Sequence, residues 1–133
     1  MKVVDLMHTD LKTVDPDATI AEVVTVLADA HVSGVPVVDG RRRVLGVISA
    51  SDVVTAIAEA GSAAERERLF DSTRVREVMT PRPQVVSADT DVTEAARVML
   101  YLEIHRLFVE EEGELVGVIS QSDIAGAVAN AKL

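Results

Sequence analysis

Two phrases in this chain set hydroxyls and a carboxylate at one spacing: Gly46-Val47-Ile48-Ser49-Ala50-Ser51-Asp52 and Gly117-Val118-Ile119-Ser120-Gln121-Ser122-Asp123. In each, a β-branched run ends and an apolar-periodic stretch follows, the pattern of a strand feeding a helix. Ser51 and Ser122 are read as opening those helices, Asp52 to about Ala60 and Asp123 to about Ala129. A helix N-terminus offers backbone N–H groups and partial positive charge, and Ser49, Ser51, Ser120 and Ser122 add donors there. That is a cradle for an anion such as phosphate. Asp52 and Asp123 each bring two acceptor oxygens, suited to the vicinal hydroxyls of a ribose. The same pattern is also an ordinary helix cap. Its recurrence in register favours a binding role over capping alone.

The rest of the chain offers little competing chemistry. His8, His31 and His105 are scattered without metal-ligand spacing, and cysteine is absent. No metal site, disulfide or thiolate is expected. His31 reads as a helix-end residue, and Met7, Met79 and Met99 read as core filling. There is no P-loop and no nucleophile–base pair, so the chain is read as not an enzyme. A net charge of −9 argues against nucleic acid or an anionic membrane as partner. One Tyr and two Phe leave little for base stacking. No apolar run reaches the roughly 20 residues of a membrane span. Met1-Lys2-Val3-Val4-Asp5 lacks a signal-peptide core. A soluble cytoplasmic protein is expected.

The elements that must position the two phrases are themselves repeated. Val14–Glu22 answers Val86–Glu94, and Met7 and Val37 answer Met79 and Val109, all at an offset of 72 residues. Ile20, Val23, Val24 and Leu27 fall at i, i+3, i+4 and i+7, one face of a helix that Thr19 and Glu22 cap. Val92, Ala95, Ala96 and Met99 repeat the stripe, with Asp91 and Glu94 as the cap pair, and His31 and Glu103 mark the helix ends. Val35–Val38 with Val44–Ile48, and Arg106–Val109 with Leu115–Ile119, read as hairpins. Pro36, without an N–H, belongs at a strand start or edge. Extended stretches near Leu11–Val14 and Gln84–Ser87 precede the first helices, and Val3–Met7 and Val75–Met79 read as lead-in turns. The fold class is α/β (α+β): two β-α-β-β-α repeats packed with pseudo-twofold symmetry. Repeat 1 is placed at 1–62, a charged, solvated helical connector at 63–74, and repeat 2 at 75–133. Each repeat is small for a lone core, so the two are expected to share one.

At His31-Val32-Ser33-Gly34-Val35-Pro36-Val37-Val38-Asp39 with Gly46–Asp52, and Ile104-His105-Arg106-Leu107-Phe108-Val109-Glu110 with Gly117–Asp123, the chain resembles a tandem pair of CBS domains, a Bateman module. The resemblance covers roughly residues 3–60 and 75–131. It implies adenine-nucleotide-type ligands in two composite clefts, with the Ser/Asp phrase of one repeat facing the other repeat. Cleft one would use Val47, Ser49, Ser51 and Asp52 with Pro83, Gln84, Ile104, His105 and Arg106. Cleft two would use Val118, Ser120, Ser122 and Asp123 with Leu11, Lys12, Val32, Ser33 and Gly34. The aspartates would hold ribose, residues near 11–12 and 83–84 the adenine, and the serines and Arg106 the phosphate.

Two departures separate the repeats. Phe108 stands where Pro36 stands in the first copy, a bulkier residue expected to narrow its cleft. His105-Arg106 aligns with Ser33-Gly34, so cleft one, which would join Arg106 to Asp52, is expected to take the more highly charged ligand. Arg41-Arg42-Arg43 and Glu110-Glu111-Glu112 read as solvated turns, with head-to-tail association as the alternative. The resemblance implies a non-catalytic regulatory module that binds AMP, ADP, ATP or an S-adenosylmethionine-type ligand, requires no cofactor, forms a homodimer and changes shape or affinity for a regulated partner that the sequence does not name. The alternative is a dimerisation scaffold with degenerate clefts.

Overall fold

The computed structural model describes residues 1–130; the end of repeat 2 expected at 131–133 lies outside them. The helices are α1 (Ile20–Ala30), α2 (Ala50–Glu59), α3 (Ala63–Ser72), α4 (Val75–Val78), α5 (Val92–Leu102) and α6 (Gln121–Ala129). The strands are β1 (Gly34–Val38), β2 (Val44–Ser49), β3 (Thr80–Pro81), β4 (Val85–Val86), β5 (Arg106–Glu111) and β6 (Glu114–Ser120). The chain forms two compact units. One is continuous, Lys12–Pro83; the other is divided, Met1–Leu11 with the chain from Gln84 onward. The repeat in sequence and the unit in space are thus offset: each unit takes in the lead-in segment of the other repeat.

The continuous unit carries the sheet β1-β2-β3, antiparallel throughout. Ile20, Val23 and Leu27 of α1 pack with Val35, Val37, Ile48, Val53 and Val75. Thr19 caps α1 as its spacing predicts, its Oγ1 accepting from Glu22 N while Glu22 Oε2 accepts from Thr19 N. The charged connector is α3, exposed along most of its length, but it is not merely solvated. Leu69 is buried in the core and Phe70 packs against it, an apolar pair hidden among Glu65, Arg66, Glu67 and Arg68.

The divided unit carries β4-β5-β6, with β4 parallel to β5 and β6 antiparallel. Its core is Val3, Ala95, Met99, Leu107, Val109 and Ile119. Met99 is fully buried, as expected of a core filler. Asp91 caps α5 by accepting from Thr93 N at 2.9 Å. Glu94 does not complete the expected pair; it reaches Arg97 instead. His31 and Glu103 close α1 and α5 in the left-handed region, at φ 54° and 57°.

The extended stretches that lead into α1 and α5 differ, and Pro36 supplies the reason. Val14 bridges Val37 in parallel, donating to Pro36 O and accepting from Val38 N. A further rung would need an N–H at residue 36, which proline lacks. Phe108, at the equivalent place, has that donor, and the rung Val85↔Phe108 forms beside Val86↔Val109. The first repeat therefore keeps a single bridge where the second has β4. Pro36 lies inside β1, with its missing donor turned to the sparsely paired edge.

Candidate functional site

Each Ser/Asp phrase begins its helix two residues earlier than the sequence suggested. The N-caps are Ser49 and Ser120, and Ser51 and Ser122 lie within the first turn. Ser49 Oγ accepts from Asp52 N at 3.1 Å, and Asp52 Oδ2 accepts from Ser49 N at 2.9 Å. Ser120 and Asp123 repeat this at 3.1 and 2.8 Å. The aspartate follows the N-cap by three residues, which is the capping-box spacing. The two oxygens of each carboxylate are divided: Oδ2 fixes the helix cap, and Oδ1 is directed elsewhere.

The partners of Oδ1 come from the lead-in segments. Thr80 Oγ1 donates to Asp52 Oδ1 at 3.4 Å. His8 Nε2 lies 2.6 Å from Asp123 Oδ1. An ionised carboxylate only accepts, so Nε2 carries the proton. Thr80 pairs with Val47 across β3 and β2. His8 bridges Val118, donating to its carbonyl at 2.8 Å and accepting from its N–H at 2.9 Å. This close passage explains the glycine of each phrase. A Cβ on Gly46 would stand 2.6 Å from Met79 Sδ and 2.8 Å from Thr80 O. On Gly117 it would stand 2.7 Å from Met7 Sδ and 3.0 Å from His8 O.

In the divided unit these elements enclose an open recess of about 480 Å³, lined by His8, His105, Arg106, Val118, Ser120, Gln121, Ser122 and Asp123. Arg106 pairs in register with Ser120, which sets the start of β5 beside the helix cap. Gln121 N donates to His105 O at 2.9 Å, and Gln121 Nε2 to Ile104 O at 3.1 Å. The continuous unit repeats the frame, with Gly34 opposite Ser49 and Ala50 N donating to Ser33 O at 2.8 Å.

The structure groups the sequence-predicted residues by unit. The cleft-one set placed Ile104, His105 and Arg106 with Asp52, and the cleft-two set placed Val32, Ser33 and Gly34 with Asp123. Within the divided unit, His105 and Arg106 share a recess with Val118, Ser120, Ser122 and Asp123. Within the continuous unit, Ser33 and Gly34 meet the Ser49 phrase. Leu11 and Lys12, and Pro83 and Gln84, stand at the two chain junctions between units. Phe108 is buried opposite Val118 but does not line the recess. The first-turn N–H groups are also less free than expected: those of Ala50, Asp52, Gln121 and Asp123 are already donated. Ser51 and Ser122 are exposed on the first turns of their helices.

His8 and Thr80, which meet the two aspartates, are residues that the sequence reading missed. Their signal was present, since Met7-His8 and Met79-Thr80 align at the repeat offset and each phrase holds a glycine that needs a close neighbour. Among the described residues, no group of three or more His, Cys, Asp or Glu is placed to hold a metal ion. No helix among them is long and apolar enough to cross a membrane.

The family model of the CBS domain matches residues 3–59 and 75–130. The chain belongs to the CBS domain family. As a CBS pair it is 28% identical, over 144 residues, to the CBS domain-containing protein CBSX1, chloroplastic, of Arabidopsis thaliana, covering 92% of this chain and 61% of that protein. It is 32% identical over 117 residues to the inosine-5'-monophosphate dehydrogenase of Methanocaldococcus jannaschii, covering 86% of this chain but 21% of that enzyme. The CBS pair thus spans less than two thirds of these relatives. A crystal structure of CBSX2 in complex with AMP superposes with a TM-score of 0.81 at 28% identity, covering 99% of this chain and 98% of that one.

Proposed function

We propose that this CBS pair is a non-catalytic regulatory module, each unit binding an adenosine phosphate of the AMP class or a related adenosyl compound. The observation that carries this reading is the division of labour at Asp52 and Asp123. Oδ2 is committed to the helix cap, which fixes the carboxylate, while Oδ1 faces a polar side chain that a ribose diol can replace. A carboxylate already ordered pays little further entropy on binding. The AMP bound by CBSX2, a protein of the same fold at 28% identity, supports the ligand class. In the divided unit, Arg106 beside Ser122 makes this recess the one for the more highly charged ligand. Regulation then follows from differential affinity, since a ligand biases only those states that it binds unequally.

Titration of ¹⁵N-labelled protein with AMP tests the reading, because amides of Val47 and Ser49 report on one unit and those of Val118 and Ser120 on the other. Saturable shifts in both phrases support it; none in either, up to millimolar AMP, overturns it. A second reading has its own support. Val54, Leu100, Tyr101 and Val128 are exposed by 61% or more, and such apolar helix faces suit a homodimer. Sedimentation that gives a monomer at high concentration removes the dimer.

A further inference from the structure

The two aspartates make equivalent caps but meet different residues at Oδ1. Asp52 has a threonine hydroxyl at 3.4 Å, the long end of a hydrogen bond. Asp123 has an imidazole N–H at 2.6 Å, a short and charge-assisted contact. His8 is held in place by its backbone pair with Val118, so the imidazole is delivered to Asp123 by the sheet itself. Its side chain is two-thirds exposed, whereas that of Asp123 is mostly covered. The imidazole therefore stands on the solvent side of the carboxylate, where a ligand must approach.

We propose that His8 is the selectivity residue of the divided unit: it occupies Asp123 Oδ1, so that a vicinal diol engages this carboxylate only by displacing the imidazole, while Thr80 leaves Asp52 in the continuous unit readily displaced. This rests on the proposed binding of ribose-containing ligands and adds what sets the two recesses apart. The recess of His8 and Arg106 favours a ligand whose phosphate engages Arg106 strongly enough to offset the lost imidazole contact. The recess of Thr80 accepts an uncharged nucleoside more readily. The charged and titratable groups facing His8 in its recess are Asp123, His105 and Arg106.

The test exchanges the two residues. His8→Thr gives the divided unit the residue that the other repeat carries, and Thr80→His does the reverse. AMP and 2′-deoxy-AMP are titrated into ¹⁵N-labelled wild type and both variants, with Val118 and Ser120 read separately from Val47 and Ser49. His8→Thr is expected to tighten AMP at Val118 and Ser120 by roughly three- to tenfold, the scale of one exposed charged contact. It leaves Val47 and Ser49 unchanged. Thr80→His weakens AMP at Val47 and Ser49 by a similar factor. The gain from His8→Thr vanishes for 2′-deoxy-AMP, which lacks the diol; a merely structural role for His8 would move both ligands alike. AMP binding at Val118 with one affinity in wild type and His8→Thr overturns the inference and leaves the proposed function standing. Equal gains for AMP and 2′-deoxy-AMP also overturn it. If His8→Thr does not fold, Thr80→His decides: unchanged AMP affinity at Val47 overturns the inference. No AMP response in either phrase of any protein overturns the proposed function, and the inference falls with it.

Discussion

The continuous and divided units are built to one plan and finished differently. In both, a lead-in segment passes over a glycine and sets a side chain against the aspartate of a helix cap. In both, the lead-in turn is clasped at the start of the first helix: Val75 N donates to Ala18 O in one unit and Val3 N to Thr90 O in the other. The differences include Thr80 against His8, Thr19 against Asp91, Gly34 against Arg106, and Pro36 against Phe108. The backbone plan follows from glycines, caps and apolar strands, which both copies share. The chemistry follows from side chains at positions where that plan leaves a choice. A repeat can therefore hold its fold constant while its two halves diverge in the side chains set against their aspartates.

The largest expected effect tests whether the halves are equal where they look equal. Ile48 and Ile119 occupy the same place in their phrases and are both fully buried. Ile48→Ala and Ile119→Ala are each expected to cost about 3 kcal/mol, the usual range for deleting a buried aliphatic side chain. Urea denaturation of the two variants measures this. A difference of several kcal/mol between them would break the equivalence of the cores.

A smaller effect separates the two glycines. A methyl on Gly46 meets the Thr80 carbonyl oxygen at 2.8 Å, which only a backbone shift relieves, whereas on Gly117 the His8 carbonyl stands at 3.0 Å. The Met79 and Met7 sulfurs can move. Gly46→Ala is expected to destabilise by about 2 kcal/mol and Gly117→Ala by about 1 kcal/mol. Thermal melts read the order, and the reverse order would show that the lead-in over Gly117 is the tighter one.

The smallest effect sharpens the contrast between the caps. The Asp91 carboxyl is held below the usual aspartate range, first by the hydrogen bond from the Thr93 backbone. Its folded-state pKa thus lies below its unfolded value. The stability it contributes is present above the unfolded value near 3.9 and is lost as the pH falls through the folded value. Thr19, at the same place in the other repeat, does not titrate there. Asp91→Thr should flatten the fall in melting temperature below about pH 4 relative to wild type. A parallel fall in both proteins would remove Asp91 from the acid response.

Much of this plan was legible in the sequence because its signals are local. The stripe Ile20, Val23, Val24, Leu27 and the box Thr19–Glu22 each lie within a few turns of chain, and the structure keeps both except that Val24 is exposed. Ser49–Asp52 was also a local signal, and its spacing of three already specified Ser49 as the cap. What escaped were pairings across the chain. Nothing within ten residues of His8 indicates that it meets Asp123, some 115 residues away. The grouping of Arg106 with Ser120 depends on hairpin register, which the apolar pattern of β5 and β6 sets only once the strands are aligned. Leu69 and Phe70 were obscured by the charged residues around them.

The divided unit has a consequence for how the chain is made. Residues 1–11 are made before Lys12–Pro83, yet their partners from Gln84 onward are made after it. Lys12–Pro83 is complete before then, and domains generally fold as units during synthesis. Val3, buried in the folded protein, finds its core partners Ala95 and Met99 only after Lys12–Pro83 has been made. The order of synthesis thus lets the continuous unit form before the recess of His8 and Asp123 can close.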